Sequence, residues 1–160
     1  MTDDNPLTHL DEQGRVRMVD VGSKAVTRRR ARAEAVVSMS PGLVDRLMAG
    51  DLPKGDVLAT VRLAAVMGAK RTPDLIPLAH PIGLDSVEVR IEPAEGGVRI
   101  EVECRLEGRT GVEMEAMTGA AVGALTLYDM VKSVERQVEI GPVRLLEKEG
   151  GRSGHWRAES

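Results

Sequence analysis

The sequence predicts an α+β fold with helices packed on one face of an antiparallel sheet. Three observations carry that prediction. Several segments alternate apolar and polar residues with period two, the signature of half-buried strands. A short glycine-rich link, "PAEGG", joins two of them as an antiparallel hairpin. Segments with helical spacing and capping residues fall between the strands, in the order strand, two helices, hairpin, helix, strand. The chain has 160 residues, the length of one domain with a real core, and shows no internal repeat. Residues 1–18 are polar and aperiodic and are expected to form a flexible tail, with His9 a solvated bystander; residues 19–160 are expected to form a single domain.

Each element has a local reason. In "ARAEAVVSM", Ala31, Ala33, Ala35, Val37 and Met39 share one face, and Arg32, Glu34 and Ser38 the other. The pattern recurs in "DSVEVRIEP" (Val87, Val89, Ile91) and in "GVRIEVECRLEG" (Val98, Ile100, Val102, Cys104, Leu106). Cys104 thereby falls on an apolar face and reads as core rather than nucleophile. A last strand is expected near residues 137–146. "RRRAR" runs into the first strand and reads as a charged sheet edge. The first helix, "SPGLVDRLMAG", has Ser40 as N-cap, Pro41 at its first position and Gly50 as its stop. The second, "DVLATVRLAAVMGAKR", starts from Asp56 and must end before Pro73. A third is expected over residues 112–134, with Thr110 and Glu113 as a capping box. Met114, Met117, Val122, Leu125, Leu127, Met130 and Val131 make it apolar nearly all round, which predicts burial in a core or between subunits.

Composition narrows the function. Apolar residues make up 42% of the chain, yet there is no Phe, one Tyr and one Trp, so aromatic platforms for single-stranded nucleic acid are missing. The net charge of −3 also argues against a general nucleic-acid binder. The single cysteine excludes an intrachain disulfide and a cysteine-based zinc cluster. No apolar run has the length of a membrane span and the N-terminus lacks the order of a signal peptide, so a soluble cytoplasmic protein is expected.

Three features carry candidate chemistry. In "KRTPDLIPLAHPI", Pro73, Pro77 and Pro81 rule out a helix and stiffen a loop around His80, with Lys70 and Arg71 at its start. Such a loop suits a binding group, or is a structural turn whose histidine only packs. In "LTLYDMVKSV", Asp129 and Lys132 sit three apart on one helical face within an apolar stretch. They are either a structural ion pair or an acid and base in a partly dry pocket, with Lys132 depressed by nearby cations. In "GVEMEAM", Glu113 and Glu115 diverge by about 200° on a regular helix and converge only if the backbone is still extended. Lys54 beside Gly55, and Lys148 and Arg152 around Gly150 and Gly151, add weaker anion-site signals. Gathered with Lys70, Arg71 and His80, these residues describe a cationic pocket for a polyphosphate.

The blocks "KGDVLATVRLAAVMGAKRTPDLIPLAHPI", "GRTGVEMEAMTGA" and "LTLYDMVK" are long and unusual, and through them the sequence resembles the cyclic pyranopterin monophosphate synthase family of molybdenum-cofactor biosynthesis, over nearly the whole chain after the tail. The resemblance implies a ferredoxin-like fold and a homohexamer built as a trimer of dimers, with active sites at the dimer interface. It implies a lyase that converts (8S)-3′,8-cyclo-7,8-dihydroguanosine 5′-triphosphate to cyclic pyranopterin monophosphate with release of diphosphate. Position by position, it carries the catalytic pair onto Asp129 and Lys132. It carries substrate contacts onto Leu78, Ala79 and His80, onto Glu113, Met114 and Glu115, and onto Lys54 and Lys148. Members often read Leu-Cys-His where this chain has Leu78, Ala79 and His80, so no thiol is needed there. No cofactor and no resident metal are expected, although Mg can accompany the triphosphate. Two rivals remain: a non-catalytic oligomeric module that binds nucleotide phosphates, and a metal-dependent hydrolase using His80, Glu113 and Glu115.

Overall fold

The structure, a computed structural model, describes residues 9–159. Residues 1–8 of the expected tail lie outside the described residues. Strand β1 (Thr27–Ser38) leads to helices α1 (Pro41–Ala49) and α2 (Val57–Lys70) and to one helical turn, α3 (Thr72–Leu75). The hairpin β2 (Ser86–Ala94) and β3 (Gly97–Gly108) follows, then α4 (Glu113–Val131), β4 (Glu139–Glu149) and the short β5 (His155–Arg157). The strands lie in the order β2-β3-β1-β4-β5, and every neighbouring pair is antiparallel. Helix α2 crosses from β1 to β2 over β3, and α4 crosses from β3 to β4 over β1. That is the βαββαβ connectivity of a ferredoxin-like α+β fold.

One face of the sheet carries the core. Ala31, Ala33, Ala35 and Val37 on β1 pair in register with Cys104, Val102, Ile100 and Val98 on β3, and all eight are buried. Small residues let α4 lie close on them: Ala116, Gly119, Ala120, Gly123 and Ala124 are its buried stripe. Helix α2 meets α4 at glycines too. A Cβ added at Gly68 would sit 2.7 Å from Val122 Cβ, and one at Gly119 would sit 3.0 Å from the Ala65 carbonyl oxygen. Each fully buried Val, Ile or Leu in this stack contributes about 1.5–3 kcal/mol of transfer free energy.

The opposite face is a mosaic of charge. Arg30 bonds Glu103 at 2.8 Å and Arg32 bonds Glu101 at 3.2 Å, while Glu34 accepts from Arg144 at 2.7 Å. Burial pushes the Glu103 carboxyl up, and hydrogen bonds from Arg30 and Arg105 more than reverse this, leaving it below the ordinary value. "RRRAR" is therefore no sheet edge: β1 is the central strand, and its arginines neutralise carboxylates that the neighbouring strands present beside them.

Other differences have equally local causes. Pro73 does not forbid α3, because it occupies the first turn, where its missing N–H costs nothing. Ser40 and Gly50 cap α1 as expected, but no side chain caps α4. Helix α4 is not covered all round within one chain. Leu125 is 59% exposed, and Leu63 and Met67 on the neighbouring α2 are 62% and 49% exposed. Among the described residues, no helix is long and apolar enough to cross a membrane.

Candidate active site

A cleft of about 910 Å³ opens at the N-terminal end of α4. Its walls are the β3–α4 turn, the β4–β5 loop, residues 19–25 and the loop bearing His80. Lys24, Arg29, Arg109, Lys148 and Arg152 line it against the carboxylates Glu113 and Glu149. No N-cap side chain closes the start of α4, and the positive end of the helix adds to this cationic set, so the cleft suits an anion.

Local geometry explains how these side chains converge. Two β-bulges interrupt the β1–β4 ladder; at one, Ala33 opposes Leu145 while Arg32 opposes Glu147, leaving Leu146 as the extra residue. The extra residue reverses the alternation. Lys148 then sits opposite Ala31 on the helix side and reaches Glu113 at 2.8 Å, whereas Glu147 turns to the outer face and meets Arg32. Glu113 is thus engaged by Lys148, and Thr110 accepts no reciprocal capping bond. In the β4–β5 loop, Gly150, Gly151 and Gly154 all have positive φ. A Cβ on Gly150, whose φ is +98°, would lie 2.1 Å from the Arg28 carbonyl oxygen, so only glycine lets the loop lie against β1 beside Arg29. Arg29 also donates to the carbonyls of Gly108 and Arg109, both at 3.3 Å, and so ties two walls together. His80 Nε2 donates to the Val19 carbonyl at 2.7 Å.

The second cluster lies at the other end of α4. Lys132 bonds Asp129 at 2.7 Å, and Lys54 donates to the Asp129 backbone oxygen at 2.7 Å, a cation at a helix C-terminus. The pair is not in a dry pocket: the Asp129 and Lys132 side chains are 61% and 53% exposed. The hydrogen bond from Lys132 lowers the Asp129 carboxyl, and the same bond raises Lys132 rather than depressing it. Asp129 stands sixteen residues along the helix from Glu113, roughly 24 Å at 1.5 Å per residue. The single cationic pocket expected from the sequence is therefore two sites within one chain: Lys148, Arg152 and His80 in the cleft, and Lys54 with Asp129 and Lys132.

The remaining candidates divide. Lys70 and Arg71 are exposed at the end of α2 and do not line the cleft. Leu78 and Ala79 are half-buried and do not line the cleft, and Met114 is exposed. Glu115 diverges from Glu113, as a regular helix requires, and enters the core at 4% exposure. Burial pushes its carboxyl up to about 7. Burial, with the charges of Glu115 and Glu103, pushes the Cys104 thiol up to about 12, so it supplies no thiolate. Glu113 and Glu115 do not converge with His80 as metal ligands would. Glu147, Glu149 and His155 do lie together, but Arg30 and Arg32 already compensate those carboxylates.

Sequence reasoning missed Lys24, Arg29 and Arg109, and it treated His9, which also lines the cleft, as a bystander. A signal for Arg29 was present. The alternation that buries Ala31 and Ala33, run two residues back, puts Arg29 on the helix side.

Comparison with known proteins agrees with this architecture. The profile of the MoaC family matches residues 18–151. A relative from Roseiflexus sp. (strain RS-1), named cyclic pyranopterin monophosphate synthase, is 57% identical over 92% of this chain and 95% of its own length. Relatives of the same name from Brucella ovis and Herpetosiphon aurantiacus are 55% and 57% identical, each over 94% of this chain and over 92% and 93% of their own lengths. Most of the cleft, the charged helix end and Gly150 and Gly151 of the glycine loop fall within the matched residues, and the chain belongs to the MoaC family.

Proposed function

We propose that this chain is a cyclic pyranopterin monophosphate synthase, a lyase that rearranges the cyclised GTP derivative (8S)-3′,8-cyclo-7,8-dihydroguanosine 5′-triphosphate and releases diphosphate. Family membership supports the activity. The observation that carries the site is the cationic cleft at the start of α4, in which Lys148, Arg29, Arg109 and Arg152 suit a triphosphate. Cations held there stabilise the charge that develops on the departing diphosphate. A sugar hydroxyl attacks the inner phosphorus, the bond to diphosphate breaks, and the hydroxyl proton passes to a base. Asp129 and Lys132 exchange protons with the substrate as the base–ribose adduct opens and the new ring closes.

That pair stands about 24 Å from Glu113 along α4, far outside hydrogen-bond reach of the same reacting atom. The reading therefore includes a second copy of the chain, whose Asp129, Lys132 and Lys54 complete the cleft. Exposed Leu63, Met67 and Leu125 supply apolar surface for such an assembly. A trimer of dimers in the cytoplasm, with one site in each cleft, satisfies this arrangement. No resident cofactor is needed, and a magnesium ion enters only with the triphosphate.

The test is diphosphate release from the cyclised nucleotide, with and without chelator, beside an Asp129→Asn control. Release by the unmodified protein alone, unchanged by chelator, is the expected result. Binding without release would return the protein to the class of non-catalytic phosphate-binding modules, and abolition by chelator would point to the metal-dependent rival.

A further inference from the structure

Residues 19–25 lie along one wall of the cleft without joining any helix or strand. Inside the segment there is a turn, with Lys24 N–H donating to the Val21 carbonyl at 3.1 Å and Gly22 N–H to Asp20 Oδ1 at 2.8 Å. Two side chains from elsewhere hold it: His80 Nε2 on the Val19 carbonyl and Arg109 Nε on the Lys24 carbonyl, at 2.7 and 3.1 Å. Arg109 is itself fixed, since its own carbonyl accepts from Arg29. Val21, Ser23 and Lys24 of the segment face the same cleft as His80 and Arg109. A wall held, among the described residues, by two side-chain bonds and no strand pairing opens far more easily than the sheet behind it.

We infer that residues 19–25 are a strap that closes over the bound polyphosphate, latched by His80 and Arg109, and that the Val19 carbonyl positions the His80 imidazole for the reaction. A carbonyl oxygen only accepts, so Nε2 carries the hydrogen and Nδ1 is the ring atom left to take a proton from a ligand. Closing the strap brings Lys24 to the cleft, where its charge faces the phosphates. Val19 is a positioning residue acting through its backbone. Lys24 is a ligand contact of the phosphate class. The inference rests on the proposed function for its ligand, but not for its latch.

The experiment is residue-resolved hydrogen exchange of the Gly22 and Lys24 amides in the full chain, free and with inorganic diphosphate, for unmodified protein, His80→Gln, His80→Ala and Arg109→Ala. Glutamine can donate to the Val19 carbonyl from nearly the same place but has no ring nitrogen to act as base. Exchange should stay near the unmodified rate in His80→Gln and quicken about tenfold in both alanine variants, while Val102 in β3 stays protected. Diphosphate should slow exchange in the unmodified chain. In turnover, His80→Gln should keep KM and lose kcat, whereas His80→Ala should also raise KM. Equal strap exchange in all four proteins would overturn the latch, and retained kcat in His80→Gln would overturn the role of Nδ1. Because the exchange of the free protein is read without substrate, the latch can stand or fall independently of the lyase reading.

Discussion

If the two residues serve different halves of each site, as proposed, mixing chains that carry Asp129→Asn with chains that carry Lys148→Ala should recover activity that neither variant has alone. Lys148 belongs to the cleft through its 2.8 Å bond to Glu113, and Asp129 lies sixteen residues further along α4, roughly 24 Å away. If the pair of one chain completes the cleft of another, a mixed dimer holds one site with both defects and one site with none. Random pairing makes about half of the dimers mixed, each with one intact site of two, so the mixture should reach about a quarter of unmodified activity. Diphosphate release measures it, and native mass spectrometry of chains with distinct mass tags confirms the exchange of subunits. Asp129→Asn mixed with Lys132→Ala is the control, since both defects fall in the same half and no mixed dimer regains a site. Verified mixed dimers that stay inactive, or a control that recovers as much as the test, would refute a site shared between chains.

Three other outcomes follow from particular contacts. Burial moves the Glu115 carboxyl from 4.5 to about 7, so between those values the folded chain keeps a proton that the unfolded chain has released. This group's contribution is full below about pH 4.5 and declines as pH rises through about 7, a loss of up to about 3 kcal/mol. Glu115→Gln should therefore raise the melting temperature more at pH 8 than at pH 5, and equal shifts at the two pH values would contradict it. Within a single chain the pair is exposed and screened by solvent, so Asp129→Asn should leave the denaturation midpoint of dilute, dissociated protein unchanged while abolishing turnover of the assembled enzyme. Gly68→Ala gains about 1 kcal/mol of helix propensity but drives a methyl into Val122, an overpacking cost of about 1–3 kcal/mol. Thermal denaturation should show net destabilisation, relieved when Val122→Ala is added; an unrelieved loss would mean that the glycine serves some other contact.

Most of the fold was legible because its signals are local. Period two placed β1, β2 and β3 with their buried faces, and Ser40, Pro41 and Gly50 bounded α1. What escaped was written in pairing rather than in pattern. The bulge at Leu146 reverses the alternation of β4, so no count along the strand could put Lys148 on the helix side. β1 looked like a charged edge because the glutamates that answer its arginines lie about seventy residues further on, in β3, and in β4. Lys54, Lys148 and His80 carried the right chemistry for a phosphate site, but their grouping depended on which end of α4 each one met. Only the three-dimensional arrangement divides them.

That division bears on how Asp129 and Lys132 can act. In a single chain each holds the other in its charged form: hydrogen bonding and charge lower the carboxyl and raise the amine. Two groups locked in their charged states are poor proton shuttles near neutral pH, where the best acid or base sits close to the ambient value. In the proposed assembly, where the cationic cleft of another chain covers the pair, the surroundings of Lys132 change in two ways. Desolvation disfavours the ammonium, and the neighbouring cations of the cleft disfavour it further. The bond to Asp129 opposes both, so the working value is set by the assembly and by the charge of the bound triphosphate. A pH–rate profile of the assembled enzyme should therefore show a basic limb, at a position set by that balance, that Lys132→Arg removes, since a guanidinium does not titrate there. A profile unchanged by that substitution would leave Lys132 as a fixed cation and pass the proton work to Asp129 and His80.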